Sequence, residues 1–300
     1  MGYYLGVDGG GTRTTAAIAD ESGQIIYKSV GKTINFYSVG MEKARENLLH
    51  IMTDISEKTG VAVFESAFIG CSALDGEGDS DTVHSLCGGV INSKAIQMNS
   101  DVFVALYAGD FSVPRGVAIC GTGSMVAGIN SKDEIIVKGG WGHILGDGGS
   151  AYSFALNGLK EALKLYDENK LDDPIVKKTQ EFFGVTDLRL VIDKVYSDST
   201  TKDIIADFAR CLGELCETGN KKVLELLEAE CNEFLRTVYS FVEESMDCKI
   251  IYLYGGVFQN NTCFKDMFIR KFKDKYPEIK IDMLLIPPEE SALKIARGIV

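Results

Sequence analysis

Three short apolar segments separated by polar turns open the chain. Each is rich in Val, Ile, Ala, Tyr or Thr, which is typical of β-strands. The turn between the first two segments is rich in glycine, and the next turn is polar. The pattern therefore predicts a three-stranded β-meander over residues 3–7, 14–19 and 24–29.

The same arrangement returns 110 positions further along the chain. Strands are predicted at 117–120, 125–129 and 135–138, again separated by a glycine-rich turn and a polar turn. With this shift, the Gly11-Thr12 pair of the first glycine turn aligns with Gly121-Thr122 without a gap. Because the strands and turns keep the same spacing, we interpret the pattern as an internal duplication that gives two related lobes.

Beyond the meanders, apolar strands alternate with amphipathic helical patterns, which is typical of an α/β fold. A block of helical patterns over 150–245 is interpreted as an insertion in the second lobe. We therefore predict two domains, 1–116 and 117–300, although the closing helix from about Glu289 could pack on the first domain. The remaining predicted strands are 67–71, 95–98, 249–254 and 280–286, and predicted helices outside the block include 43–58, 81–90, 101–108 and 260–275.

Composition narrows the classes of function. The 300 residues are 45% hydrophobic and 25% charged, which is typical of a globular protein. A net charge of −12 without a long Lys/Arg cluster argues against a nucleic-acid partner. The N-terminus lacks the features of a secretory signal, and no apolar run reaches the ~18 residues that a membrane span needs. We therefore expect a cytoplasmic protein with no membrane partner, whose eight scattered cysteines are free thiols.

The first glycine turn is a candidate phosphate site. Asp8 ends a predicted strand and is followed by the run Gly9-Gly10-Gly11-Thr12-Arg13. Glycines let the backbone approach a phosphate and turn N–H groups toward it, and Thr hydroxyls can donate further hydrogen bonds. The run lacks the Gly-Lys-Ser/Thr ending of a Walker loop, and a strand follows it rather than the helix of a dinucleotide-binding motif. Taken alone, it is equally compatible with a plain glycine hairpin.

Two further glycine-rich elements lie in the second half of the chain. Gly121-Thr122-Gly123-Ser124 is a loop of the same kind, and two such loops facing each other across a cleft could hold a triphosphate from both sides. A hydrophobic strand near residue 253 ends in the pair Gly255-Gly256 before a helix. Residues without side chains there would let a flat ring such as adenine lie against the backbone.

In this order, the three elements resemble the two phosphate motifs and the adenosine motif of the actin, Hsp70 and sugar-kinase superfamily. The run Gly139-Gly140-Trp141-Gly142-His143-Ile144-Leu145-Gly146-Asp147-Gly148-Gly149-Ser150-Ala151-Tyr152 resembles the N-acetylglucosamine kinase group of the BadF/BadG/BcrA/BcrD ATPase family. The resemblance extends from residue 4 to the end of the chain. It implies a two-lobed actin-like or hexokinase-like α/β fold, a ribonuclease H-like duplication, in a homodimeric enzyme. It also implies that the enzyme uses ATP and Mg²⁺ to phosphorylate an amino sugar at its 6-hydroxyl.

The resemblance also implies roles for single residues. Asp101 follows a predicted strand and matches the catalytic aspartate that orients or deprotonates the sugar hydroxyl, although an N-cap aspartate would occupy the same place. Asp8 would hold Mg²⁺ through water, and Arg13 is either a weak phosphate ligand or, as we prefer, a surface residue. Contacts with ATP are implied for Gly9, Gly10, Gly11, Thr12, Thr122, Gly123, Gly255 and Gly256. Contacts with the sugar are implied for Asn35, Ser72, Asp101, Gly121, Thr122, Trp141 and Asp147.

Two features of the fourteen-residue run bear on the sugar. Trp141 is the only tryptophan in the chain and stands among glycines, an unusual setting for a core residue, so we interpret it as a surface for the apolar face of a pyranose. The run has Asp147-Gly148-Gly149-Ser150 where the family commonly has Asp-Glu-Gly-Ser. The role of the missing glutamate is therefore open.

Three functions are compatible with these motifs. The first is an N-acetylhexosamine 6-kinase, with N-acetylglucosamine, N-acetylmuramic acid or glucosamine as the acceptor. The second is an ATP-driven activator of a dehydratase, which would need cysteines that hold an iron–sulfur cluster. The third is a sugar sensor without activity, and the presence of Asp8, Asp101 and both phosphate loops argues against it.

Overall fold

The computed structural model describes residues 2–74, 76–108, 113–197 and 199–298. The chain forms two compact units: unit 1 comprises Met1–Phe111 and Leu284–Val300, and unit 2 comprises Ser112–Met283. The strands are β1 Tyr3–Gly9, β2 Arg13–Asp20, β3 Ile25–Lys32, β4 Ser66–Cys71, β5 Ile96–Asn99, β6 Arg115–Cys120, β7 Ser124–Ile129, β8 Ile135–Gly139, β9 Ile250–Tyr254 and β10 Lys280–Met283. The helices are α1 Phe36–Val39, α2 Met41–Thr59, α3 Ser80–Cys87, α4 Asp101–Leu106, α5 Ala151–Asp167, α6 Pro174–Phe183, α7 Val191–Val195, α8 Lys202–Glu217, α9 Lys221–Ser245, α10 Gly256–Asn260, α11 Thr262–Lys275 and α12 Pro288–Ala296.

Each unit is built on one mixed sheet, and the two sheets have the same strand order. The order is β3-β2-β1-β4-β5 in unit 1 and β8-β7-β6-β9-β10 in unit 2. In both, an antiparallel meander is continued by two parallel strands. This shared order confirms the predicted α/β fold and explains why the strand and glycine-turn pattern occurs twice in the sequence.

Burial along the strands follows their place in the sheet. In the central strand β1, the consecutive residues Leu5, Gly6 and Val7 are all buried, because both faces of the strand are covered. In the edge strand β3, exposed residues recur at alternate positions, because one face meets solvent. The sheet edge that carries the functional residues is therefore the end of a strand packed on both sides.

The closing helix α12 belongs to unit 1. A Cβ on Gly6 of β1 would lie 2.5 Å from the carbonyl oxygen of Glu289 in α12, so the helix and the strand approach so closely that a side chain would not fit. Leu293 of the same helix is buried against β2. The predicted domains were 1–116 and 117–300, whereas in the structure the final segment returns to the first unit because α12 buries its apolar face there.

The helices α5 to α9 lie between β8 and β9 of unit 2 in the sequence. Their core is rich in aromatic side chains, and Phe208, Phe234 and Phe241 are fully buried. Burial of each such side chain contributes roughly 1.5–3 kcal/mol. The helices α5 and α8 pack closely at Gly158, where a Cβ would overlap the side chain of Leu212.

Two predicted elements differ from the structure in extent. The predicted strand 280–286 ends at Met283, whose partner in the parallel register is Leu253 of β9. Within the helical block predicted over 150–245, a 3-10 turn over Leu188–Leu190 continues into the short α7. Within the described ranges, no helix combines the length and apolarity needed to cross a bilayer.

Candidate active site

The carboxyl ends of three parallel strands meet at one edge of the unit 1 sheet, which is where α/β sheets bind ligands. Asp8 lies near the end of β1 and is in register with Gly70 of β4. Ser72 follows β4, and its backbone N–H donates to the carbonyl oxygen of Gly9 at 2.8 Å. Asp101 follows β5. The structure therefore brings the predicted residues Asp8, Ser72 and Asp101 to the same edge.

The side chain of Asp8 lies on the face of the sheet that two helices cover. Side chains alternate along a strand, so Asp8 shares a face with Gly6, which α12 covers. A Cβ on Gly70, the β4 partner of Asp8, would lie 2.5 Å from Cγ2 of Val104 in α4. The carboxyl group of Asp8 is thus enclosed near the first turns of α4 and α12.

Three carboxyl groups interact in this enclosed place. Burial, followed by the charges of Asp101 and Glu289, raises the pKa of Asp8 from 3.8 to about 7, and Arg13 acts in the opposite direction. Burial also raises the pKa of Asp101. Lys28 forms an ion pair of 2.9 Å with Glu289. Asp8 therefore gains a proton near neutral pH unless a cation compensates its charge.

The helix cap beside Asp101 is formed by its neighbour. The hydroxyl of Ser100 accepts a hydrogen bond from the backbone N–H of Phe103 at 3.2 Å, so Ser100 is the N-cap of α4. Asp101 occupies the first position inside the helix. Burial raises the pKa of its carboxyl group, and hydrogen bonds from the backbone N–H groups of Val102 and of Asp101 itself oppose the rise. The N-cap alternative for Asp101 is therefore wrong, because Ser100 forms the cap and the carboxyl group of Asp101 is not needed for it.

The first glycine turn combines a packed glycine with open backbone. A Cβ on Gly9 would lie 2.6 Å from Cγ1 of Ile34, so this position is constrained by packing. Gly11 has no atom within 4 Å of the place where its Cβ would be. Thr12 and Arg13 are exposed. Together with Gly10, these residues form an accessible stretch of backbone and hydroxyl groups.

Asn35 and Ser72 are in direct contact. The side-chain amide of Asn35 donates to the hydroxyl of Ser72 at 3.0 Å. The carbonyl oxygen of the same amide caps α1 by accepting from the backbone N–H groups of Tyr37 and Ser38, each at 3.1 Å. The structure thus holds the predicted sugar residue Asn35 in place through its own cap and leaves one amide N–H for a ligand.

In unit 2, the second glycine turn packs against the start of α5. The backbone N–H of Ala151 donates to the carbonyl oxygen of Gly121 at 2.9 Å, and the backbone N–H of Tyr152 donates to the carbonyl oxygen of Thr122 at 3.4 Å. A Cβ on Gly123 would lie 2.8 Å from a carboxylate oxygen of Asp147. The turn and Asp147, predicted to hold phosphate and sugar, are therefore neighbours.

The loop from Gly139 to Gly149 has an unusual backbone. Gly139, Gly140, Gly142 and Gly149 adopt positive φ angles, and so does Asp147 with φ of 60°. Burial raises the pKa of Asp147, and its hydrogen bond with the backbone of Ser124 opposes the rise. Trp141 is 74% exposed, so it is not a core residue. Trp141 and Asp147 both line a cavity of about 380 Å³.

A buried carboxylate that sequence reasoning missed anchors this loop. Glu230 of α9 is 5% exposed and accepts from the backbone N–H of Gly149 at 2.7 Å. It also accepts from the hydroxyl of Ser153 at 3.0 Å and the amide of Asn157 at 2.6 Å. The available signal was its place on the apolar stripe of α9, four positions before Phe234.

In the third glycine-rich element, Gly255 is tightly packed and Gly256 has open space beside it. Gly255 has φ of 108°, and a Cβ there would overlap the carbonyl oxygen of Cys120 in β6. Gly256 begins α10 and is exposed, and a Cβ there would meet only the side chain of Asn260, at 3.6 Å. Open surface for a flat ring is therefore found at Gly256 rather than Gly255.

Comparisons with known proteins cover nearly the whole chain. Residues 5–293 match the profile of the BadF/BadG/BcrA/BcrD ATPase family. An N-acetylmuramic acid/N-acetylglucosamine kinase from Clostridium acetobutylicum is 26% identical, with 99% of both chains covered. An N-acetyl-D-glucosamine kinase from Dictyostelium discoideum is 26% identical, with 98% of this chain and 97% of that protein covered. The crystal structure of a candidate N-acetylglucosamine kinase from Chromobacterium violaceum superposes with a TM-score of 0.80 at 16% identity, with 99% of both chains covered.

Proposed function

This chain belongs to the BadF/BadG/BcrA/BcrD ATPase family, and from that premise we propose that it transfers the γ-phosphate of ATP to the 6-hydroxyl of an N-acetylated amino sugar. The observation that carries the proposal is the pair Asp8 and Asp101, two half-buried residues whose carboxyl charges interact beside an exposed glycine turn. Two full-length relatives that are named as N-acetylglucosamine kinases support the choice of acceptor.

Asp101 would act on the acceptor. Its carboxylate accepts the proton of the sugar hydroxyl while the hydroxyl oxygen attacks the γ-phosphorus atom and ADP leaves. A carboxyl group whose pKa is raised by burial is a better base for this step than an exposed one. Its position at the head of α4, with the cap supplied by Ser100, leaves the carboxylate free to face a ligand.

Asp8 fits a role toward Mg²⁺. Its buried carboxyl group stands beside two other acidic groups, and a divalent cation would offset that negative charge. In the described residues, no three His, Cys, Asp or Glu side chains are arranged to hold a metal, so the donor set suits an ion that keeps most of its water. Bound Mg²⁺ would neutralise charge on the transferring phosphoryl group.

The remaining predicted residues divide between the two substrates. Backbone N–H groups at Gly10 and Gly11 and the hydroxyl of Thr12 would donate to phosphate oxygens, with Arg13 as a weaker candidate. Thr122 and Gly123 are the other proposed phosphate donors. Gly256, beside the tightly packed Gly255, would take the adenine. Hydrogen bonds to the sugar would come from Asn35, Ser72, Gly121, Thr122 and Asp147, and Trp141 would pack on its apolar face.

The dehydratase activator is the main alternative. That function needs accessible thiolates to bind iron, whereas six of the eight cysteines are buried and only Cys211 and Cys263 are partly exposed. Burial raises the pKa of Cys87, Cys216, Cys231 and Cys248 to about 12, which favours the neutral thiol. The colour and iron content of the purified protein separate the two: a brown, iron-containing protein without kinase activity would favour the activator.

The proposal is tested by measuring ATP consumption against a panel of acceptors. N-Acetylglucosamine, N-acetylmuramic acid, glucosamine and glucose are each added to the protein with ATP and Mg²⁺. We expect strong stimulation by at least one N-acetylated sugar and weak stimulation by glucose. If no sugar stimulates ATP consumption, the kinase function must be abandoned for the sensor or the activator.

We further propose that the enzyme works in the cytoplasm, where its co-substrate ATP is abundant and its cysteines stay reduced. A homodimer remains a prediction, and light scattering coupled to size-exclusion chromatography would test it.

A further inference from the structure

Helix α9 lies along the glycine-rich loop of unit 2 and contacts it at successive turns. Glu230 accepts from the N–H of Gly149, as described above. One turn later, Glu233 covers Gly148, and one turn after that, the methyl group of Thr237 lies 3.2 Å from where a Cβ on Gly139 would be. The residues of α9 that face the loop therefore determine what surrounds Trp141 and Asp147.

Glu233 occupies the space that a side chain at position 148 would need. A Cβ on Gly148 would overlap Cγ of Glu233 and lie 3.2 Å from its Cβ. The backbone at Gly148 does not have a positive φ, so residues other than glycine could adopt its conformation. A side chain at position 148 is thus excluded by contact with the side chain of Glu233 and not by the backbone conformation.

Glu233 lines the cavity to which two of the predicted sugar residues, Trp141 and Asp147, also contribute. Glu233 and Arg236 line this cavity together with Trp141 and Asp147. Nη1 of Arg236 forms an exposed ion pair of 2.6 Å with Oε2 of Glu233, one turn apart on the same helix. Among the described residues, no group donates a hydrogen bond to Oε1 of Glu233. Carboxylate oxygens of this kind accept hydrogen bonds from sugar hydroxyls and amides.

We propose that Glu233, paired with Arg236, is a specificity-determining residue that binds a hydroxyl or the acetamido N–H of the sugar. The inference rests on the proposed kinase function, since it assigns the cavity to the acceptor. The sugar would therefore be bound by Asp147 and Trp141 from the loop and by Glu233 from the helix.

The test compares E233Q with wild type and with E225Q. Glu225 is an exposed residue of the same helix that does not line the cavity. We expect E233Q to raise the sugar KM, and the sugar Kd from Trp141 fluorescence, at least ~10-fold, because the acceptor of the hydrogen bond loses its charge and the new amide NH2 group cannot accept. The ATP KM should stay within about twofold, and E225Q should behave as wild type. An unchanged sugar Kd in E233Q would overturn the proposal.

A second pair of variants moves the carboxylate from α9 to position 148 of the loop. In G148E alone, two side chains compete for one space, so sugar binding should weaken. In G148E/E233A, the loop glutamate has room, and the sugar Kd should return to within about threefold of wild type, whereas E233A alone stays weak. If the double variant binds sugar no better than E233A, Glu233 acts through local packing and the proposal fails. A wild-type protein that phosphorylates no sugar would instead refute the kinase function itself.

Discussion

At Asp101, the roles of helix cap and of reactive carboxyl group belong to different residues. Because Ser100 caps α4, the substitution D101N leaves the cap in place and removes only the acid–base group. We expect D101N to fold and bind sugar as wild type does, while turnover falls at least ~10²-fold. Steady-state kinetics and Trp141 fluorescence measure the two effects separately. Turnover near the wild-type value would remove Asp101 from the mechanism.

At Asp8, the raised pKa predicts how stability depends on pH. The unfolded chain loses this proton near pH 3.8, whereas the native protein keeps it to about pH 7, so the native state binds more protons between these values. Stability should therefore fall as the pH rises through this window. In D8N this contribution is absent, so the unfolding free energy of D8N should gain about 2–3 kcal/mol relative to wild type between pH 5 and pH 8.

Urea unfolding in EDTA at the two pH values measures this effect, with the exposed Glu57 of α2 as the control in E57Q. A difference between D8N and wild type that is the same at pH 5 and pH 8 would show that Asp8 titrates as an ordinary carboxyl group. Mg²⁺ should reduce the effect in wild type, because metal binding favours the ionised carboxylate.

The exposed side chain of Trp141 can report on ligand binding through its fluorescence. The ring is 74% exposed and is the only indole in the chain, so its emission should shift when sugar covers it. We expect W141A to raise the sugar KM at least ~10-fold through lost contact area, with little change in the ATP KM. An emission that responds to nucleotide alone would assign Trp141 to the wrong substrate.

At the scale of elements, α9 stabilises the glycine-rich loop of unit 2 through the buried Glu230. Removal of the Glu230 carboxylate leaves the N–H of Gly149, the hydroxyl of Ser153 and the amide of Asn157 without their acceptor. We expect E230A to lower the unfolding free energy by about 2–4 kcal/mol, since buried donors without partners are costly. The exposed control E225A should change it by less than ~0.5 kcal/mol. Equal stability of the two variants, measured by chemical denaturation, would contradict the anchoring role.

The elements themselves were largely predictable from local pattern. The meanders, the glycine turns and the helices with one apolar stripe all have signals within a few residues, and the structure has them close to the predicted bounds. The contributions of Glu289 and Glu233 were not predictable in this way. Glu289 affects the pKa of Asp8, and Glu233 covers Gly148. In both pairs the glutamate belongs to a helix far along the chain, so the two residues become neighbours only after folding.

At the scale of the whole molecule, the duplication is the feature that the sequence specified best. Both halves keep the order of strand, glycine turn and strand, and both sheets keep the same topology. The return of α12 to unit 1 was left open, because an amphipathic helix has a buried face whichever sheet it covers. Its position is fixed by Gly6, where a strand without a side chain admits the helix backbone.

The complete protein should use ATP productively only when an acceptor is present. Without sugar, the proposed base Asp101 would have no sugar hydroxyl to activate and only water could accept the phosphoryl group, so ATP hydrolysis should be slow. If the ring is held by its other hydroxyls and the acetamido group, as we propose, the exocyclic 6-hydroxyl would extend furthest toward the γ-phosphate. A 6-deoxy analogue of the preferred sugar should therefore compete for binding and accept no phosphate. Phosphorylation of the analogue at the rate of the parent sugar would show that a different hydroxyl reacts.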